Sequence, residues 1–270
     1  MAGVVGPAHL TEPVAAVFGT LPGWVRLVRA PNPGPMTLDG TNSWILRPPG
    51  GTGGLIVDPG PDEPAHLDAL AAAGPFDAVL VTHGHHDHTD GVPGLLERLG
   101  PVPVRGAAAV AAVDAPVADG EELDLGPLRL TVLATPGHTA DSICVVAGHG
   151  GERVVLTGDT VLGRGTTVVA WPDGDLGAYL SSLDRLAGLG ELPVLPGHGP
   201  ALDSCATAAR HYLAHRRARL DQVRAVVAAG ARTPADVVDA VYGDLPAALR
   251  PAAEWSARAQ LAHLGQGDIT

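Results

Sequence analysis

Thr82-His83-Gly84-His85-His86-Asp87-His88 follows directly on the apolar run Asp77–Val81. Four of these seven residues are His and a fifth is a carboxylate, in a chain with only 12 His in all. A lone His in a loop is ordinary surface, but four imidazoles and an Asp in the turn after an apolar strand are not. Imidazole nitrogen and carboxylate oxygen are the donors that borderline cations such as Zn²⁺ prefer. One turn orders several of them at little entropic cost. The run reads as a metal site, and since one turn cannot surround two ions, further ligands are expected elsewhere.

Three later segments share one form, a strand end followed by a Gly-containing turn with one polar ligand. They are Thr135-Pro136-Gly137-His138-Thr139, Thr157-Gly158-Asp159-Thr160 and Pro196-Gly197-His198-Gly199-Pro200. Around them, Trp24–Val28, Ser43–Leu46, Leu55–Val57, Ala78–Val81, Leu128–Leu133, Ile143–Val146 and Val154–Leu156 read as strands bounded by Gly, Pro or Asp. Helical patterns cover Pro64–Ala73, Val92–Leu99 and Leu176–Leu189. The mixture predicts a layered α/β protein whose sheets are covered on their outer faces. After Pro200 the texture turns helical, over Ala206–Ala229, Pro234–Tyr242 and Ala247–Leu264. A catalytic domain over residues 1–204 and a helical domain over 205–270 are expected.

The ordered set His83-x-His85-x-Asp87-His88, His138, Asp159 and His198 resembles the metallo-β-lactamase-fold superfamily of hydrolases. The resemblance implies a four-layer αββα sandwich with two metals at one edge of the sheets. It implies one metal on His83, His85 and His138, another on Asp87, His88 and His198, and Asp159 bridging both. Asp58, ending Leu55-Ile56-Val57-Asp58, matches a carboxylate that orients the ligands rather than binding metal. His86 falls at the variable position and is expected to point away. Met36-Thr37-Leu38-Asp39-Gly40-Thr41-Asn42-Ser43-Trp44, Gly158–Thr167 and Tyr212–Arg219 resemble the β-lactamase-like-protein-2 subfamily. That likeness implies a small winged-helix-like C-terminal domain and single-strand-specific endoribonuclease activity. Two features depart from it: Leu220 replaces the Glu usual after the HRxxR motif, and little sequence is left for a wing before Thr270.

The implied chemistry is hydrolysis by a hydroxide bridging two divalent ions, since a bound metal lowers the pKa of water from 15.7 to about 7. Asp87 is the candidate to hold the nucleophile's proton and pass it to the leaving group. Two Zn²⁺ per chain are expected, and Mn²⁺ or Fe²⁺ suits the same donors. The leading substrate reading is single-stranded RNA, cleaved as a phosphodiester. The alternative is a glyoxalase II-like thioester or another small ester, and a non-enzymatic metal-binding module is a third class. The complete ligand set argues against the module, and the lack of a basic anchor for glutathione carboxylates argues against a glyoxalase II substrate. Asp159 and the absence of an export signal argue against β-lactam hydrolysis. His215, Arg216 and Arg219 carry the RNA reading. Positions 215 and 219 share a helix face, five of the 17 Arg fall between 210 and 224, and guanidinium grips phosphate through a bidentate fork.

With 270 residues, 46% hydrophobic and 17% charged, the chain can bury a substantial core. Its net charge of −12 excludes a broad nucleic-acid-coating face, though not a local Arg cluster. No apolar stretch reaches the length of about 18 residues that a membrane span needs. The N-terminal stretch lacks a basic region, and Cys144 and Cys205 cannot make a disulfide framework; both point to the cytoplasm. His9, His66, His149 and His263 are expected at the surface, Cys144 in the core and Cys205 at a helix start.

Overall fold

Alternate residues of Trp44–Leu46, Leu55–Val57 and Ala78–Val81 face two different cores, which is why these runs are continuously apolar instead of alternating with polar residues. In the computed structural model, which describes residues 21–265, one sheet has the order β1 (Val25–Arg29), β2 (Asn42–Leu46), β3 (Leu55–Val57), β4 (Ala78–Leu80), β5 (Val104–Gly106) and β6 (Ala115–Pro116). It is antiparallel through β3 and parallel beyond. The second has β11 (Val194–Pro196), β10 (Glu152–Gly158), β9 (Ile143–His149), β8 (Leu128–Ala134) and β7 (Glu122–Leu125), antiparallel except for β10 and β11.

Trp44, Leu46, Leu55, Val57, Ala78 and Leu80 meet Val132, Val145, Ala147, Val154, Leu156 and Leu195 between the sheets. Ile45, Ile56, Val79 and Val81 turn outward against α1 (Pro64–Ala71) and α3 (Val92–Leu99), which contribute Leu67, Leu70, Val92 and Leu95. On the other side, Cys144, Val146 and Val155 pack on α4 (Leu176–Ala187) and the first half of α5 (Cys205–Ala228). This is the αββα sandwich. The second half of α5 supplies Val223 to a smaller core with Val237 and Val238 of α6 (Pro234–Tyr242) and Ala253, Ala257 and Leu261 of α7 (Arg250–His263). Helix starts are fixed by side-chain caps: Asp175 for α4, Ser204 for α5, and a Thr233–Asp236 capping box for α6. Among the described residues no helix is long and apolar enough to cross a membrane, and no strand follows β11.

The expected strands and long helices are present, while β5, β6, β7, β11 and the short α2 (His86–Thr89) add to them. β6, β7 and β11 are sheet edges; in β6 and β7 shortness, Pro116 and acidic side chains suit an unpaired rim but erase the apolar signal, and the buried β11 is only three residues long and ends in Pro196. His66, expected at the surface, is 4% exposed: its Nε2 lies 2.9 Å from Ser43 Oγ and 3.0 Å from the Pro59 carbonyl. His9 lies outside the described residues.

The sheets are stitched at one end by Asn42 and Trp44 of β2. Asn42 Nδ2 donates to the carbonyls of Pro196 (3.0 Å) and Gly199 (2.8 Å), and Trp44 Nε1 donates to Pro196 (2.9 Å). All three bonds hold the turn that carries His198. Asn42→Ala is expected to lower stability by about 2–4 kcal/mol, the loss of two buried bonds with their acceptors left unpaired. A denaturant midpoint equal to the parent's would refute this coupling of the sheets.

Candidate metal centre

β4 lies between β3 and β5, and where it leaves the sheet the chain turns through His83 and His85 into α2. His83 is 1% exposed and His88 is fully buried. β8, β10 and β11 end at the same edge and deliver His138, Asp159 and His198. The approach is close: a Cβ on Gly197 would sit 2.5 Å from Asp159 Oδ1 and 2.8 Å from His88 Cε1, so only glycine fits between two candidate ligands. His86, by contrast, points to solvent and pairs with Asp90 at 2.9 Å.

The donor atoms converge in groups. His83 Nε2 and His138 Nε2 stand 3.0 and 3.1 Å from His85 Nδ1. His198 Nε2 lies 3.3 Å from His88 Nε2 and 3.1 Å from Asp87 Oδ2. Asp159 Oδ2 reaches both groups, 3.4 Å from His198 Nε2 and 3.8 Å from His138 Nε2. Donor sets His83–His85–His138, His83–His88–Asp159 and Asp87–His88–His198 each lie within 4.8 Å.

Asp58 orients this array from behind. Its Oδ1 accepts from the Thr82 backbone N–H and its Oδ2 from the Thr82 hydroxyl, both at 2.8 Å. Oδ2 also lies 2.9 Å from His88 Nδ1, which fixes that ring with Nε2 toward the cluster. Asp58 holds φ at 54°, a left-handed backbone seldom adopted by a residue other than glycine, and Ser43 Oγ anchors its carbonyl at 2.5 Å.

Nitrogen and oxygen lone pairs brought this close repel unless a cation lies among them. Asp159 Oδ1 is buried without a hydrogen-bond partner, an arrangement that is unfavourable unless a cation or proton satisfies it. Spacings near those of donors about 2.0–2.2 Å from a shared ion and a mixed N/O set make the residues fit a dinuclear metal centre. Without metal, protons take that role. Burial disfavours charge on His88, yet Asp58, Asp87 and Asp159 outweigh it and raise its pKa to about 9. His198 rises against burial to about 11 beside Asp159 and Asp87. Burial lowers His83, His85 and His138, which stay neutral. Asp87 falls against burial to about 2, held by His88 and His198.

His215, Arg216 and Arg219 border a cleft that also reaches His138 and Asp159. Both arginines are engaged with protein. Arg216 is 4% exposed and donates to the Thr167 carbonyl. Arg219 donates to the Val241 carbonyl at 2.7 Å and stacks 4.5 Å from the Tyr242 ring centroid. Thr82, Asn42 and Thr167 support the site without any sequence signal beyond flanking a ligand segment.

The Metallo-beta-lactamase superfamily profile matches residues 36–198, more than half the chain, and the protein belongs to that superfamily of metal-dependent hydrolases. A Beta-lactamase associated winged helix domain matches residues 233–269. The Beta-lactamase-like protein 2 homolog of Caenorhabditis elegans is 33% identical over 242 residues, covering 82% of this chain and 77% of its own. An Atrochrysone carboxyl ACP thioesterase of Aspergillus fumigatus is 34% identical over 240 residues, covering 80% and 72%. The crystal structure of a beta-lactamase domain protein from Burkholderia ambifaria superposes with a TM-score of 0.79 at 26% identity, covering 96% of this chain and 91% of that one.

Because His88 and His198 hold protons in the metal-free protein, metal must displace them. Loading at neutral pH is therefore expected to release protons, and affinity to rise with pH through about 9, where His88 loses its proton, toward about 11, where His198 does. Calorimetry in buffers of different ionisation heat measures the release; heats independent of buffer would refute it. Asp58→Ala should weaken metal binding about 10–100-fold, whereas His86→Ala should leave it unchanged.

Proposed function

We propose that the protein hydrolyses thioesters or esters with an apolar acyl group at a dinuclear centre. His83, His85 and His138 would hold one ion, Asp87, His88 and His198 the other, and Asp159 both. Zn²⁺ would suit this mixed N/O donor set, and Mn²⁺ or Fe²⁺ fits the same donors. The observation that carries the substrate reading is the cleft wall. Pro35, Met36 and Leu38 line one side, and Leu245, Leu249 and Ala252 belong to its C-terminal lining. Such walls remove an acyl chain from water, while the arginines of the same lining, Arg164, Arg216 and Arg219, are engaged with Asp39, the Thr167 carbonyl and the Val241 carbonyl. The similarity to a protein named as an acyl carrier protein thioesterase supports acyl chemistry.

When bound, the ions supply Lewis acidity and lower the pKa of a coordinated water. Asp87, 29% exposed where Asp159 is 10%, is the more solvent-accessible of the two cluster carboxylates. Ionised at neutral pH, it accepts a proton from the attacking water and passes it to the leaving group. Asp159, buried and immobile, holds both groups of ligands in place.

A second reading keeps single-stranded RNA as substrate. It is favoured by His215, Arg216 and Arg219 bordering the same cleft and by the similarity to the Beta-lactamase-like protein 2 homolog. The prior engagement of both guanidiniums places it second.

Metal-loaded protein should be assayed on acyl thioesters of increasing chain length and on labelled single-stranded RNA. The acyl reading predicts kcat/KM rising about fourfold per added methylene, from about 0.8 kcal/mol per buried CH₂, until the cleft is full. Ala252→Phe should cut activity on long chains while sparing acetyl. Arg219→Ala should lower stability by about 1–3 kcal/mol, through loss of its carbonyl bond and ring contact, without changing the chain-length profile. RNA cleavage without thioesterase activity, lost in Arg219→Ala, would replace this reading with the second.

A further inference from the structure

Arg216 sits on the buried face of α5, where its guanidinium reaches a loop that feeds the metal centre. Besides donating to the Thr167 carbonyl, it lies 5.1 Å from the Tyr179 ring centroid, and its Nε is buried without a partner. The next carbonyl, that of Val168, accepts from His138 Nδ1 at 2.6 Å, with Thr167 Oγ1 3.3 Å from the same nitrogen. A carbonyl can only accept, so the His138 proton is fixed on Nδ1 and the Nε2 lone pair is left toward His85 and Asp159.

Neighbouring side chains grip the same segment. Tyr212, one turn before Arg216 on the same helix face, accepts from the Leu162 N–H at 3.0 Å and lies 3.3 Å from the Leu162 carbonyl. The Tyr179 hydroxyl donates to the Thr160 carbonyl at 2.7 Å. A Cβ on Gly137 would fall 2.3 Å from Tyr179 Cα, so α4 also presses on the backbone just before His138. Residues 159–168 are thus pinned at Thr160, Leu162 and Thr167, between Asp159 at one end and the carbonyl that orients His138 at the other.

We propose that Arg216 is a positioning residue. By holding the Thr167–Val168 backbone it fixes the orientation and tautomer of His138, and with them the affinity of the His83–His85–His138 group for its ion. The proposal rests on the dinuclear centre but not on either substrate.

The test uses the full chain loaded with Co²⁺, whose visible absorption reports ligand geometry, followed by competition with a chelator. In Arg216→Met one of two ions should dissociate about 10–100-fold more readily than in the parent, with a changed spectrum, while the other is retained. Arg216→Lys, which keeps the charge and one donor, should recover part of the lost affinity. Arg217→Ala, on the exposed side of α5 and 3.9 Å from Asp184, should match the parent. Parental affinity and spectrum in both Arg216 variants, with KM alone raised, would overturn the proposal and make Arg216 a substrate contact. Equal weakening of both ions in Arg216→Lys would also overturn it. A parent chain that takes up no Co²⁺ would overturn the metal centre itself, which separates the two failures.

Discussion

Five imidazoles and two carboxylates with converging lone pairs cannot stay buried together unless positive charge lies among them. In water each would keep its own solvent shell; at the edge of this sandwich they stand 3.0–3.4 Å apart across the His85 and His198 contacts. Protons on His88 and His198 satisfy the array in part, but Asp159 Oδ1, 3.5 Å from His88 Nε2, stays buried without a hydrogen bond. A cation is what the arrangement lacks, and the surrounding fold keeps the lacking side chains from relaxing apart.

That restraint comes from all four layers. β4 and α2 present His83, His85, Asp87 and His88 from one sheet, and the ends of β8, β10 and β11 bring the other ligands from the second. Asp58 holds His88 directly and anchors Thr82 beside it, Asn42 and Trp44 tie the His198 turn across the inter-sheet core, and α4 and α5 brace the backbone around Asp159. The C-terminal helices do more than cap the sandwich. α6 and α7 line the cleft through Tyr242, Ala252 and Ala253, and Arg219 fastens α6 to α5. The loop beside the metal centre and the cleft therefore share one helix, α5, whose two halves serve different cores.

The ligand array was legible in the sequence because its residue types are rare and each sits at the end of an apolar run. Layering was legible for the same reason: strands buried on both faces leave continuous apolar stretches at β2, β3 and β4. What was not legible depends on partners distant in the chain. Asn42 is an ordinary polar residue until it meets Pro196 and Gly199, 154 and 157 positions away. His66 is indistinguishable from a surface histidine until Ser43 and Pro59 surround it. Arg216 reads as one more charge on a helix, because the group it grips is a backbone carbonyl with no side-chain signature. The short edge strands escaped because a rim that must avoid pairing is built from residues that look like loop.

The measurement that bears most directly on this account is a Zn²⁺ titration of the metal-free chain, with stoichiometry checked by elemental analysis. Two ions per chain are predicted for the parent, and weakened binding of both in Asp159→Ala, since the Asp159 carboxylate approaches both groups of ligands. One ion per chain at saturation, with all seven side chains intact, would contradict it.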